Sequence, residues 1–390
     1  MKIAAVTAIP VRLQRDRGKA EHTAGSPTAL AGGDANYRWS AVFPALYAVN
    51  FETALVRITL DDGTIGWGEA QAPLAPEVAC SIVQLLLAPV LRNAEFDGSV
   101  ECIEMLWDRM YATMRIRGQT GGFMLDAISG VDLALWDLAG KICNKPVCAL
   151  LSGSRQRTEV PAYLSGLSGA SIEARVENAC ARRDEGFRAF KLFYDCESEE
   201  FLTSFSAVRK ALGDQAGIAA DALWRLSGDN AEDFGKTLDR HNAMWLEAPL
   251  PPEDPLAHAA LAGAIRTPLA IGESYRTRYE LASFFRERAM RYVQPDLGRC
   301  GLTEGLRIAR IAAERGVAVA PHLSIAMGPQ IAAAIHFAAA LPNCEMLEFN
   351  PNVLEVANES LTQPIVCQAG WYRVPELPGL GAEVQLPLAK

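Results

Sequence analysis

The stretch GFRAFKLFYD, residues 186–195, decides how the second half of the chain is read. An apolar, aromatic-rich run of strand type carries a single lysine, Lys191, near its end. Side chains alternate across a strand, so Phe193 shares the face of Lys191, where a second polar group would otherwise stand. One cation at the mouth of a buried strand raises the question of what the neighbouring segments place beside it.

Outward from that strand the chain keeps one grammar from about residue 125 on. Short apolar runs recur: VPAYLSG (160–166), FRAFKLF (187–193), GIAAD (217–221), AMWLE (243–247), PLAIGE (268–273), RYVQPD (291–296), VAVAPH (317–322) and EMLEF (345–349). Helix-like segments such as SIEARVENACARRDEG, PLAHAALAGAI and EGLRIARIAAERG lie between them. Strand–helix alternation predicts a parallel sheet, and eight repeats in about 200 residues predict a closed α/β barrel.

Polar residues stand at the ends of these strands at a nearly constant interval. Asp221, Glu247 and Glu273 are 26 residues apart; Asp296 follows after 23, His322 after 26 and Glu348 after another 26, while Lys191 precedes Asp221 by 30. Each βα unit returns the chain to the same barrel face, so these side chains converge on the C-terminal mouth, where such barrels build their sites. Taken singly, an acid after a strand is a helix N-cap or a solvated loop residue. Seven in phase are harder to explain that way.

Three carboxylates from consecutive strands, without cysteine or histidine, make an oxygen-only set suited to Mg²⁺ or Mn²⁺. Asp296 and His322 come from adjacent strands, so the carboxylate can fix one ring nitrogen and raise the basicity of the other. Lys191 adds a cation and Glu348 a further acid facing the metal from the far side. That constellation suits abstraction of a proton next to a carboxylate, with a protonated Glu348 donating to the developing oxyanion. His241, His258 and His336 lack such neighbours and read as structural; His22 stays open.

Lys plus Arg number 37 against 46 Asp plus Glu, a formal net charge of −9, which argues against a nucleic-acid backbone or an anionic membrane surface as partner. Nine scattered cysteines form no CxxC pair, and MKIAAVTAIPVRLQ reads as an edge strand; the expected setting is the cytoplasm, with free thiols. Gly316–Cys344 contains no Asp, Glu, Lys or Arg, yet its prolines and glycines break it into a buried strand, a loop and a buried helix.

Residues 1–125 read as a mixed α+β unit. FETALVRITL and TIGWGEA are alternating strands joined at Asp61-Asp62-Gly63, a hairpin signal, and ECIEMLWDRMYATM is an amphipathic helix. Residues 14–42 read as a lid or binding loop.

AISGVDLALWDLAGKICNKPVCALLSGS (127–154) resembles the helical signature of the mandelate racemase group of the enolase superfamily. FRAFKLF, DALW, WLEAPL, IGES, VQPDLGRCGLTEG, APH and MLEF match that group's strand-end motifs in order, so the resemblance spans nearly the whole chain. It implies a (β/α)7β barrel (126–360) under an N-terminal α+β capping domain (1–125), with 361–390 returning to the cap and 14–42 as the lid. It implies Asp221, Glu247 and Glu273 as ligands of Mg²⁺, His322 with Asp296 as the base dyad, Glu348 as the electrophilic acid, and a symmetric homo-oligomer.

Two departures bear on the reaction. Racemases of the group carry Lys-x-Lys at the second strand; here the second position is Phe193, and a phenyl ring carries no proton. Where the group often has Asn two residues after the third-strand Asp, this chain has Leu223, followed by Trp224. Lys191 is therefore expected to clamp the substrate carboxylate, and His322 to serve as the one base of a syn dehydration. The product would be a 2-keto-3-deoxy acid formed from an aldonate, uronate or aldarate.

An epimerase or lactone cycloisomerase is the closest rival; Tyr194 could supply another proton, but alternation puts it off the inward face. A two-carboxylate glycosidase would need no divalent metal, and a non-catalytic barrel has no use for the dyad. Arg15, Arg17, His22, Arg38, Arg115 and Arg117 are candidates to meet the distal end of the substrate.

Overall fold

The computed structural model describes residues 1–14, 28–29, 36–40, 45–152 and 157–385. The N-terminal sheet is antiparallel. β1 (Ile3–Leu13) pairs along its length with the later strand Phe51–Leu60, from Ile3 opposite Leu60 to Leu13 opposite Phe51. Between them lies a small sheet of β2 (Thr28–Ala29), β3 (Tyr37–Ser40) and β4 (Ala45–Ala48). β5 (Phe51–Leu60) and β6 (Ile65–Ala70) form the expected hairpin; Gly63 takes φ +89° and Asp62 Oδ1 accepts the Thr64 N–H at 2.9 Å. β1 buries Ile3, Val6, Ala8, Val11 and Leu13; the period of two holds within 6–8 and 11–13 and is broken between them and at the register shift between Ile3 and Ala5.

Helices α1 (Pro76–Ile82), α2 (Ala88–Leu91), α3 (Val100–Arg115), α4 (Gly122–Ile142) and α5 (Val147–Ser152) follow. The glycines of TIGWGEA serve close approach: a Cβ on Gly66 or Gly68 would collide with α4 at Ala134 and Gly130. The division expected at residue 125 falls inside α4. Three buried aspartates tie this helix to separate parts of the chain. Asp126 takes the Arg276 guanidinium, Asp132 Oδ2 accepts the Thr303 N–H at 2.9 Å, and Asp137 accepts the N–H groups of Trp67 and Leu380 at 2.8 and 2.7 Å.

The barrel runs β7 (Glu159–Ser165), α6 (Ile172–Asp184), β8 (Ala189–Phe193), α7 (Ser198–Leu212), β9 (Gly217–Asp221), α8 (Gly228–Arg240), β10 (Leu246–Glu247), α9 (Pro255–Ala264), β11 (Leu269–Ile271), α10 (Arg278–Glu287), β12 (Tyr292–Val293), α11 (Leu297–Glu314), β13 (Ala318–Val319), α12 (Pro329–Ala340) and β14 (Leu347–Phe349). Strands β7 to β13 pair in parallel in chain order. β14 closes the ring, pairing in parallel with β7, while the segment just before it meets β13 through a Val319–Cys344 bridge. Eight strands with seven intervening helices make a (β/α)7β barrel. The apolar segment Gly316–Cys344 is β13, a loop and α12, and no described helix is long and apolar enough to cross a membrane.

After α13 (Pro351–Asn358) the chain forms β15 (Cys367–Gln368) and β16 (Trp371–Arg373). β16 adds antiparallel to β7 of the barrel before residues 379–383 reach α4, where Glu383 pairs with Lys141. The tail thus touches the barrel first and the N-terminal helix second. All nine cysteines are free thiols.

Candidate active site

The strand ends deliver the expected residues to one mouth. Asp221 closes β9 and Glu247 closes β10; Lys191 and Glu348 lie within β8 and β14. Glu273, Asp296 and His322 stand just past β11, β12 and β13, and Asp296 and His322 form a parallel bridge of their own. A cavity of about 290 Å³ opens there, with Lys191, Asp221, Glu273, His322 and Glu348 in its wall and Tyr47 of β4 reaching it from the N-terminal unit.

One oxygen of each acid in the triad is fixed by a neighbour. Leu223 N–H donates to Asp221 Oδ1 at 3.0 Å; Trp245 Nε1 and Gln294 Nε2 donate to Glu247 Oε2 at 2.9 and 2.8 Å; Trp224 Nε1 donates to Glu273 Oε1 at 2.8 Å. Asp221, Glu247 and Glu273 each offer a ligand oxygen, all within 4.8 Å of one another. Burial, opposed by Lys191 and reinforced by the neighbouring carboxylates, pushes Asp221 up to about 6 and Glu247 up to about 7. Glu273 is also raised, chiefly by burial. A largely buried all-oxygen set with surplus negative charge fits a hard divalent cation, and the triad can hold one.

Lys191 is 1% exposed, and its ammonium lies 2.6 Å from Glu247 Oε1, 2.9 Å from Glu348 Oε1 and 3.2 Å from Asp221 Oδ2. The rings of Phe193 and Tyr163 lie 5.5 and 5.7 Å from it, within cation–π reach. The lysine without a partner on its own strand has three on other strands of the barrel, β9, β10 and β14. Burial favours the neutral Glu348 acid, but Lys191 and His322 outweigh it and draw Glu348 down to about 2, the opposite direction from the protonated acid expected of it. Its other oxygen, Oε2, accepts the Leu323 N–H at 3.0 Å.

His322 Nδ1 lies 2.8 Å from Asp296 Oδ2, and Nε2 lies 3.2 Å from Glu273 Oε2. Asp296 Oδ1 accepts Gly298 N–H and Gln330 Nε2, both at 2.9 Å, so the carboxylate is held on two sides before it orients the ring. Burial opposes the imidazolium, but Glu348, the Asp296 hydrogen bond and Glu273 together push His322 up to about 9.

Tyr194 points away from this site, its hydroxyl 2.6 Å from Ser198 Oγ and its ring against Phe201 and Phe234. That removes it as a second proton source. Leu223 and Trp224 both adopt positive φ, 53° and 59°, a turn that swings the Trp224 indole onto Glu273. His241, His258 and His336 lie outside the mouth; His336 bridges Cys148 N–H and Leu380 O. Arg15, Arg17 and His22 lie outside the described residues. Arg38 bonds Tyr37 O, while Arg115 and Arg117 are exposed at the end of α3; none of these three is in the described cavity wall. Sequence reading missed Tyr47, Trp245, Gln294 and Gln330. For Gln294 a signal existed: it sits two residues before Asp296, on the same face of an extended chain.

Residues 45–152 match the mandelate racemase / muconate lactonizing enzyme N-terminal domain, and residues 174–388 match the enolase C-terminal domain-like family. The chain belongs to the enolase superfamily, in its mandelate racemase group. Among relatives, D-galactarolactone cycloisomerase of Agrobacterium fabrum is 33% identical over 85% of this chain and 88% of its own length. Arabinonate dehydratase of Saccharolobus solfataricus is 31% identical over 86% of this chain and 88% of its own. A solved enolase-superfamily member from Agrobacterium tumefaciens superposes with a TM-score of 0.92 at 30% identity, covering 99% of this chain and 97% of the other. This enolase-superfamily enzyme therefore shares fold and scale with relatives of both lyase and isomerase type.

Proposed function

We propose that the enzyme dehydrates a sugar acid to a 2-keto-3-deoxy acid, with Mg²⁺ held by Asp221, Glu247 and Glu273. The observation that carries this reading is the single base. His322 has an orienting carboxylate in Asp296 on Nδ1 and turns Nε2 toward the triad, 3.2 Å from Glu273 Oε2, whereas the place of a second base on β8 is taken by Phe193. Arabinonate dehydratase and the D-xylonate dehydratase of Haloferax volcanii, 28% identical, are relatives whose names fit it.

When bound, the cation would stabilise negative charge developing on the substrate carboxylate. The chain's own residues supply the proton chemistry. His322 Nε2 takes the α-proton, and the C–H electrons pass into the carboxylate as an enediolate. The imidazolium then gives that proton to the β-hydroxyl on the same face as the C–O bond breaks, and water leaves. The enol product tautomerises to the keto acid. Lys191 clamps the substrate carboxylate in this reading, which requires it to leave Glu348; an uncovered Glu348 can then carry a proton and donate to the enediolate oxygen.

A second reading keeps the enolate and expels a ring oxygen in place of a hydroxyl, as the name of the cycloisomerase relative suggests. A semicarbazide assay over aldonic, uronic and aldaric acids with Mg²⁺ separates the two. A keto-acid signal lost with EDTA supports dehydration; its absence across the panel removes it.

A further inference from the structure

The capping sheet contributes a buried carboxylate that never reaches the cavity. Glu69, in β6, is 0% exposed. Its Oε1 accepts Thr53 Oγ1 at 2.9 Å and the Met327 N–H at 2.7 Å; its Oε2 accepts the Gln330 N–H at 3.2 Å. Met327 and Gln330 flank the start of α12, whose own cap is Gly328, with no side-chain oxygen, followed by Pro329, with no N–H. One orphan donor of that helix, the Gln330 N–H, and the Met327 N–H just before its cap are thus met by an acid from the other unit, at the end where the helix dipole favours negative charge.

What begins at Gln330 continues to the base. From the first turn of α12, Gln330 Nε2 donates to Asp296 Oδ1 at 2.9 Å, and Asp296 Oδ2 holds His322 Nδ1 at 2.8 Å. The amide is confined: a Cβ on Gly298 would collide with it, and the Gly298 carbonyl is in turn held by the Gln71 N–H and the Ser129 hydroxyl. Only six residues, 323–328, separate His322 from α12, and Leu323, Ser324 and Ile325 among them line the cavity. Both ends of this segment are therefore set by the same chain of bonds.

We propose that Glu69 is a positioning residue for the base. By pinning the first turn of α12 to the capping sheet, it fixes the Gln330 amide on Asp296 and, through it, the orientation of the His322 ring. The chemical contribution of His322 is taken from the function proposed above; the positioning itself is independent of substrate.

The test compares Glu69→Gln, Gln330→Met and the double variant in the full-length, Mg²⁺-loaded protein. Glu69→Gln keeps the volume but turns an amide NH₂ toward backbone donors. Gln330→Met leaves the Glu69 contacts with the backbone intact and breaks only the link to Asp296. Two readouts are taken: the NMR resonance of the His322 Nδ1–H, which needs no substrate, and kcat against KM on a turned-over acid. The expected result is a moved or broadened resonance in both single variants, kcat down about tenfold or more with KM little changed, and a double variant no worse than the poorer single. If Glu69→Gln does not fold, Gln330→Met alone must still move the resonance. Folded variants with the wild-type resonance overturn the proposal, as does a double variant whose losses multiply. A moved resonance with no turnover by any variant, wild type included, would sustain the positioning and remove the dehydratase reading instead.

Discussion

His322 Nε2, the ring nitrogen left for chemistry, lies 3.2 Å from Glu273 Oε2, an oxygen of the acidic triad. The base and the proposed metal site are thus adjacent parts of one charge system, and His322 is tied to it from both nitrogens. Removing the ring should separate the two roles. His322→Asn is expected to lower kcat by about 10²-fold or more, the scale of a lost general base. Titration calorimetry should show Mg²⁺ binding retained. Wild-type turnover in this variant would take His322 out of the mechanism.

Glu247 is the acid whose loss should be felt most widely. It is fully buried, accepts the Trp245 and Gln294 donors on one oxygen, and meets Lys191 on the other. Glu247→Gln removes a charge while keeping the shape. Mg²⁺ affinity should fall by more than the roughly 10- to 100-fold typical of a lost outer-sphere partner, with activity lost alongside. Unchanged affinity would show that the ligand set is drawn wrongly.

Leu223 spends its backbone in a region that suits other residues. With φ 53° its side chain crowds the carbonyl that follows, a cost of about 1–2 kcal/mol per residue that Asn partly escapes through local hydrogen bonding. Leu223→Asn is expected to stabilise the fold by about 1 kcal/mol in chemical denaturation. A stability loss instead would mean that the apolar contacts of Leu223 outweigh its backbone strain.

His336 should carry part of the acid sensitivity. Burial, partly opposed by the Leu380 carbonyl, lowers it to about 4, and the ring fills the space between Cys148 N–H and Leu380 O. Below its ordinary value near 6.5 the unfolded chain takes up the proton and the folded chain does not, so stability falls as pH drops from 6.5 toward 4. The full contribution is on the order of 3 kcal/mol. His336→Gln, which can still donate and accept, should flatten that limb in urea unfolding followed against pH. An unaltered limb would place the acid sensitivity elsewhere.

The ladder from Lys191 to Glu348 was legible because a βα repeat returns the chain to one mouth each time, so spacing alone groups the residues. The partners of those residues were not legible. Trp224 reaches Glu273 only because Leu223 and Trp224 turn through positive φ, and Trp245 folds its indole back onto Glu247 two residues on. Neither event leaves a periodic trace. Glu69 was hidden for another reason: two of its three donors are backbone groups of residues 327 and 330, more than 250 positions away, and backbone groups have no identity in sequence. Lys191 was seen as a cation awaiting an anion, whereas the barrel geometry supplies three.

Proton NMR in D₂O with Mg²⁺ on an acid the enzyme accepts, comparing wild type with His322→Asn, addresses the one-base dehydration most directly. The account predicts a 2-keto-3-deoxy acid accumulating in the wild-type sample and nothing in the variant. α-Deuterium entering recovered acid with no keto product would contradict it, since the base would then be working while no hydroxyl leaves.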